Sequence, residues 1–263
     1  MKRIVTFGEI LQRWSKNGAR RLSQGYDWEG HFGGSEANVA VSLAKLGNHV
    51  GYVSRIPDNA VGRACLQELR YQGIDVSDVV LGGERLGTYY FEAATSVRRG
   101  QVVYDRQGSS FYSSAPGMFP WREIFGRTDI FHCSGITCAV SPSATEATFE
   151  AVRTAKEMGL RITCDINYRK NLWKYEGADA HHTLTALLWY EGEIYTSRIY
   201  DIQPIVDPVG VGDAFVAAYI HAAEKWKGKP QQGLDFSVAA AQLKNSIVGD
   251  FNLVTEEEIL EQL

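Results

Sequence analysis

Short apolar runs and amphipathic stretches alternate along most of this chain. Ile4-Val5-Thr6-Phe7 is a nearly continuous apolar run ending at Gly8, the pattern of a short buried strand. From Ala37 to Leu46, Val39, Leu43 and Leu46 recur at helical spacing, and Gly47 closes the stretch as a C-terminal cap. His49 to Ser54 predicts a strand, Val61 to Gln72 a helix stopped by Gly73, and Thr128 to Cys133 another strand. Pro142 to Met158 predicts a helix ended by Gly159, and Leu160 to Asp165 a further strand. Near Ala214 a helix begins and runs through Val216, Ala217, Ala218, Tyr219 and Ile220. Strand and helix in alternation predict an α/β domain, a largely parallel sheet flanked by helices. Such sheets bind ligands beyond the carboxyl ends of their strands.

Two segments break the alternation. Residues 12–34 and 86–113 are rich in Tyr, Trp, Thr and Val with little helical periodicity. Thr88 to Ala93 and Gln101 to Arg106 predict two strands joined by a turn near Arg99-Gly100. Both segments are assigned to a small β-sheet lid, which leaves 1–11, 35–85 and 114–263 as the α/β core. A pair of surface hairpins without function fits the same pattern. Long excursions from a compact domain are commonly functional.

A hydrophobic fraction of 44% is ordinary for a chain with a real core. The formal net charge of −4, with no basic block, argues against nucleic acid or an anionic membrane as partner. No apolar run approaches the length of a membrane span. Four cysteines (Cys65, Cys133, Cys138, Cys164) stand without a Cys-x-x-Cys pair, which fits reduced thiols in the cytoplasm. His181-His182 are adjacent, and neighbouring helix positions do not face one metal site.

Candidate chemistry concentrates in Asp207-Pro208-Val209-Gly210-Val211-Gly212-Asp213. Without a Cβ at Gly210 and Gly212, backbone N–H groups can turn toward an anion, and the following helix adds its positive end. An acid inside such a cradle is a poor anion ligand, so Asp213 reads as a group that orients a hydroxyl and takes its proton. An Asp N-cap on an ordinary loop-to-helix junction is the plainer alternative. Gly33-Gly34-Ser35-Glu36-Ala37-Asn38 opens the first long helix, with Asn38 able to donate and accept toward a sugar hydroxyl. In Asp165-Ile166-Asn167-Tyr168-Arg169, period-two spacing puts Arg169 on one side with Asp165 and Asn167, where it is suited to clamp a carboxylate or to pair with Asp165. Tyr104 and Arg106 share one face of the second lid strand.

Taken together, the Gly33-Gly34 turn, the Asp165 to Arg169 motif followed by Leu172-Trp173, and Asp207 to Phe215 resemble the ribokinase-like (PfkB) carbohydrate kinases. Glu36 stands where fructokinase-like members tend to have proline, so the likeness is greatest to the 2-keto-3-deoxygluconate kinases. The resemblance runs from Gly8 to about Leu253 and implies a ribokinase-like fold with an ATP-dependent activity on a sugar acid. It implies Asp213 as catalytic base, with Gly210, Val211 and Gly212 as the anion hole over the γ-phosphate. Gly34 and Asn38 become sugar-hydroxyl contacts, while Tyr90, Tyr104, Arg106 and Arg169 face the acid and keto end. Asp207, Gly210, Gly212 and Asn245 fall to the nucleotide side, Asn245 through a helix around Ala239 to Ile247. The cofactors implied are ATP with Mg²⁺ and a monovalent cation such as K⁺; no metal ligand can be named. Exposed, aromatic-rich lid edges imply a homodimer through the lid.

The chain departs from the family pattern in one place. Family members carry several tens more residues between the Asn167-Tyr168-Arg169 motif and the strands before the glycine loop. That stretch supplies central strands, an Asn-x-x-Glu motif and part of the nucleotide pocket. Here Lys174 to Leu187 runs almost directly into a hairpin, Leu188 to Tyr195. Loss of consecutive central strands would leave unpaired edges, so the expectation is that the polypeptide carries further residues at a seam near Thr183 to Leu187. A genuine deletion would make the chain a non-catalytic sugar-binding protein. A kinase for another sugar, such as fructose, is the alternative within the enzyme class.

Overall fold

The first strand, β1 (Arg3–Phe7), is buried along its whole length, and Ile4 and Val5 send apolar side chains to opposite faces of the sheet. This is a computed structural model, and it describes residues 2–18, 20–95, 98–165, 183–184, 187–197, 200–201 and 205–263. After β1 come β2 (Leu11–Ser15), β3 (Glu29–Gly33), α1 (Ser35–Lys45), β4 (His49–Val53), β5 (Arg55–Ile56) and α2 (Ala60–Tyr71). Next are β6 (Val80–Leu81), β7 (Gly87–Glu92), β8 (Gln101–Asp105), α3 (Trp121–Phe125), β9 (Ile130–Ser134), α4 (Gly135–Cys138), α5 (Pro142–Glu157) and β10 (Arg161–Asp165). Four short strands follow: β11 (Thr183–Leu184), β12 (Leu187–Tyr190), β13 (Glu193–Thr196) and β14 (Tyr200–Asp201). Three helices, α6 (Val211–Lys225), α7 (Pro230–Lys244) and α8 (Glu256–Leu260), complete the described elements.

Among the described residues the main sheet has the order β10-β9-β1-β4, with every pair parallel. One face carries Ile4, Val50 and Tyr52 against Val39, Leu43 and Leu69 of α1 and α2 and Ile220 of α6. The other face carries Val5, Phe7 and Phe131 against Trp121 and Phe125 of α3 and the alanines of α5. Each large apolar side chain buried this way contributes roughly 1.5–3 kcal/mol. Small residues let α6 and α7 approach closely, with Ala218 and Ala222 meeting Phe236, Ala239 and Ala240.

The two segments outside the alternation build a second sheet of order β3-β2-β7-β8. Its central pair, β2 and β7, is parallel and the outer pairs are antiparallel. Leu11, Tyr89 and Phe91 form its inner face and pack with Val102, Tyr104 and Val209. Val209 belongs to the glycine loop, so this sheet leans on the turn that starts α6. Leu188 to Tyr195 forms the expected hairpin, with Glu191 and Gly192 at positive φ in its turn.

Three boundaries differ from expectation. The helix expected near Ala214 begins at Val211, because Gly210 takes a left-handed φ of 84° and turns the chain into the helix there. The helix sought around Ala239 to Ile247 begins at Pro230, a residue suited to the first helical turn, and ends at Lys244. The short helix α8 was not anticipated, although Thr255 and Glu258 carry a full capping box. Asn167, Tyr168, Arg169, Leu172, Trp173 and His181-His182 lie outside the described residues, as does part of the proposed seam.

Candidate active site

Two helix N-termini converge beyond the carboxyl end of β1. At the first, Gly210 precedes α6; a Cβ on it would fall 2.2 Å from the carbonyl oxygen of Asp250, so this turn accepts no side chain. The N–H groups of Val211 and Gly212 open the first turn of α6, ahead of its first intrahelical bond, from the Ala214 N–H to the Gly210 carbonyl oxygen at 2.8 Å. Among the described residues nothing would lie within 4 Å of a Cβ on Gly212, so there is room beside this turn. Orphan donors, a positive helix end and room in front of them suit a phosphate. The second N-terminus is that of α1, where Gly34 lies so close to β1's exit that a Cβ would sit 2.1 Å from the Glu9 carbonyl oxygen.

Asp213 joins the two. It is 3% exposed, and its carboxylate accepts from Ser35 Oγ at 2.7 Å and Asn38 Nδ2 at 2.8 Å. Asn38 in turn accepts from the Gly34 N–H at 3.2 Å. As the third residue of α6, Asp213 is not its N-cap; Gly210 holds that position without a side chain. The plainer reading of Asp213 as a simple cap is therefore excluded.

These groups open into a narrow cleft of about 60 Å³. Gly34, Asn38, Tyr104, Arg106 and Asp213 all line it. Tyr90 does not. Side chains alternate along β7, and Tyr90 points to the side of Trp28, with ring centroids 5.9 Å apart, while Tyr89 takes the cleft side. Arg106 donates Nε to Glu9 Oε2 at 2.6 Å, so it enters the cleft already paired with an acid. Where Arg169 stands relative to the cleft falls outside the described residues.

A second buried network lies behind the glycine loop. Arg13 of β2 donates Nη2 to Asp207 at 2.8 Å and Nη1 to Asp250 at 3.0 Å, all three side chains being 5% exposed or less. Tyr89 donates its hydroxyl to Asp250. Lys244, fully buried, reaches the carbonyl oxygens of Asp207 and Ile247. Burial raises the Asp250 carboxyl despite Arg13, raises the Tyr89 phenol well above its ordinary value, and lowers Lys244. Burial pulls Arg13 down, but Tyr89, Asp250 and Asp207 outweigh it and the net shift is upward.

Asp207 and Asn245, expected on the nucleotide side, both make contacts within the protein. Asp207 spends its carboxylate on Arg13 and on the N–H groups of Val209 and Gly249, so it shapes the loop from behind. Asn245 is a buried C-cap of α7 whose Nδ2 bonds the Ala241 carbonyl oxygen and whose own carbonyl accepts from Val206 and Asp207.

Five participants were not anticipated: Glu9, Arg13, Ser35, Tyr89 and Asp250. Signals existed for some of them. Glu9 follows a strand end closed by glycine, and the alternation on β7 makes Tyr89 and Tyr90 exclusive choices for the cleft. Glu36, next to Ser35, is 1% exposed and bonded by Ser134 and Thr137; burial raises its carboxyl. Among the described residues no three His, Cys, Asp or Glu side chains gather as metal ligands.

A parallel sheet whose strand ends face an anion-ready helix terminus and a buried carboxylate, with a β-sheet over the cleft, defines a phosphoryl-transfer enzyme for a small polyhydroxy substrate. The model of the pfkB family carbohydrate kinases matches residues 1–190, and the chain belongs to that family. It is 29% identical to the 2-dehydro-3-deoxygalactonokinase of Haloferax volcanii, covering 97% of this chain and 95% of the relative. The 2-dehydro-3-deoxygluconokinase of Thermoproteus tenax is 27% identical over 99% of this chain and 93% of its own. The crystal structure of 2-dehydro-3-deoxygluconokinase from Thermotoga maritima superposes with a TM-score of 0.92 at 29% identity, covering 100% of this chain and 99% of that one. A putative ribokinase from E. coli shares the fold at a TM-score of 0.83, 18% identity and coverage of 99% and 98%. The alignment with the Haloferax enzyme spans 305 positions against the 263 residues here, so the relative holds residues with no counterpart in this chain.

Proposed function

We propose that this kinase transfers the γ-phosphoryl group of ATP to an alcohol of a 2-keto-3-deoxy sugar acid, 2-keto-3-deoxygluconate giving its 6-phosphate. The observation that carries the proposal is Asp213, buried at an anion-ready helix terminus and held toward the cleft by Ser35 and Asn38. The substrate oxygen attacks the γ-phosphorus, its proton passes to Asp213, and ADP leaves with the electrons of the broken P–O bond. Amides at the start of α6 are pre-aimed at the charge that develops on the transferred group. Mg²⁺ bound with ATP supplies further charge neutralisation. The acid specificity draws on Arg106 at the cleft and on the names of the relatives above; Arg169 is proposed as the second cation.

A coupled ADP-release assay across a panel of sugar acids and neutral sugars tests this. Turnover confined to neutral sugars would move the assignment to the fructose-type alternative. Omitting K⁺ from the same assay reads the proposed monovalent cation requirement. The residues without counterpart in this chain favour one second reading, a sugar-acid binder that does not turn over. An intact mass of 29.2 kDa together with sugar-acid binding and no ADP release would establish it. We assign segments 12–34 and 86–113 to the lid, expect a homodimer through it by sedimentation, and place the enzyme in the cytoplasm, in keeping with its four free thiols.

A further inference from the structure

We infer that Glu9 is a positioning residue for Arg106, turning the guanidinium so that its two terminal nitrogens meet the acid end of the substrate. The inference rests on the sugar-acid reading above. Glu9 stands two residues beyond β1 in the main sheet, and Arg106 directly follows β8 in the second sheet, so their ion pair bridges the two layers at the cleft. Glu9 Oε2 takes Arg106 Nε at 2.6 Å, and Oε1 takes Ser109 Oγ at 2.5 Å. With both oxygens committed and the side chain 1% exposed, the carboxylate has no freedom to swing. Gly87, the first residue of β7, makes the seat: a Cβ there would lie 2.5 Å from Glu9 Oε1.

A guanidinium carries five N–H donors in a fixed fork. Occupying Nε with Glu9 directs the bidentate face formed by the terminal nitrogens, the geometry that matches a carboxylate. The cleft also contains Asp213 and Asp250, and the Glu9–Arg106 pair is neutral as a unit. Acid selectivity on this side therefore depends on where the donors point more than on net positive charge.

The test is a double-mutant cycle with 2-keto-3-deoxygluconate: wild type, Glu9→Gln, Arg106→Lys, and the pair together. Glu9→Gln should raise KM for the sugar acid about tenfold while kcat stays within about threefold, since the interaction precedes the chemical step. In the Arg106→Lys background, which lacks the fork, the same change should leave KM unmoved. Ser109→Ala, a milder change that frees Oε1, should raise KM in the same direction by about threefold. Equal KM effects of Glu9→Gln in both backgrounds would overturn the inference, as would a KM for Ser109→Ala and Glu9→Gln indistinguishable from wild type. Absence of wild-type turnover on the sugar acid removes the parent reading and this one together. Turnover without coupling removes only the role of Glu9.

Discussion

Replacing Asp213 with asparagine isolates its proton-accepting role from its structural one. The carboxylate accepts from Ser35 Oγ and from Asn38 Nδ2. An asparagine there can present its oxygen to Asn38 and its amide to Ser35, whose hydroxyl rotates to accept. Both of these contacts survive, so the stability change should stay within about 1 kcal/mol. The amide cannot take a proton. General-base catalysis contributes about 10²–10⁴-fold, and loss of that factor raises the barrier by about 3–5 kcal/mol. Coupled ADP release with the sugar acid should show kcat falling by that range while KM moves only a few-fold. Asp213→Ala, which takes the acceptor away from the buried Asn38 Nδ2, should in addition lower stability by about 1–3 kcal/mol. Turnover of Asp213→Asn within tenfold of wild type, in a protein of unchanged melting temperature, would refute the assignment.

Three further outcomes are expected. Gly210→Ala places a methyl 2.2 Å from the Asp250 carbonyl oxygen at a φ of 84°; the melting temperature should fall and kcat should drop by about 10²-fold or more as the cradle shifts. Arg13→Met leaves the buried carboxylates of Asp207 and Asp250 without their cation; urea unfolding should register a loss of about 3–5 kcal/mol, and a loss under 1 kcal/mol would show the pair to be dispensable. His132 is fully buried, and burial lowers its pKa from 6.5 to about 4. The unfolded chain therefore takes up a proton at higher pH than the fold does, so this contribution is complete above pH 6.5 and is lost as pH falls toward 4. The total is about 3 kcal/mol, and thermal melts of His132→Asn should show a shallower loss across that window than wild type.

The main sheet was legible because its strands announce themselves twice, by apolar runs and by the glycines that end the helices between them. Gly47, Gly73 and Gly159 all take positive φ where the pattern ended a helix. The glycine loop was equally legible as a class of feature. Its exact entry into the helix was not, since that is set by the close approach of Asp250, a residue some forty positions away with no local trace. The Tyr89 and Tyr90 choice failed for a similar reason: the period fixes that they face opposite sides, but tertiary packing decides which side is the cleft. Arg106 was legible as a cleft cation, whereas its buried partner Glu9 was not, because the pairing joins two sheets that only the fold brings together.

Those cross-sheet pairs bear on how the second sheet can move. Arg13 of β2 is tied to Asp207 and Asp250 behind the glycine loop, and Arg106 after β8 is tied to Glu9 after β1. One anchor involves the strand beside β3 and the other the strand at the opposite edge of the sheet, so they hold its base on both sides of the cleft. Val209 packs between them against Leu11, Tyr89 and Tyr104. Opening at the base would separate buried charges, at about 3–5 kcal/mol for each broken pair, so a rigid swing of the whole sheet is a poor route for substrate entry. Motion is cheaper toward β3, where Tyr26 and Trp28 stand exposed and the surrounding ion pair of Arg20 with Asp27 is open to solvent. Hydrogen exchange should therefore run fast across residues 20–29 and slow at the bases of β2 and β7, with sugar acid protecting the former; equal protection of both would mean that the sheet moves as one body after all.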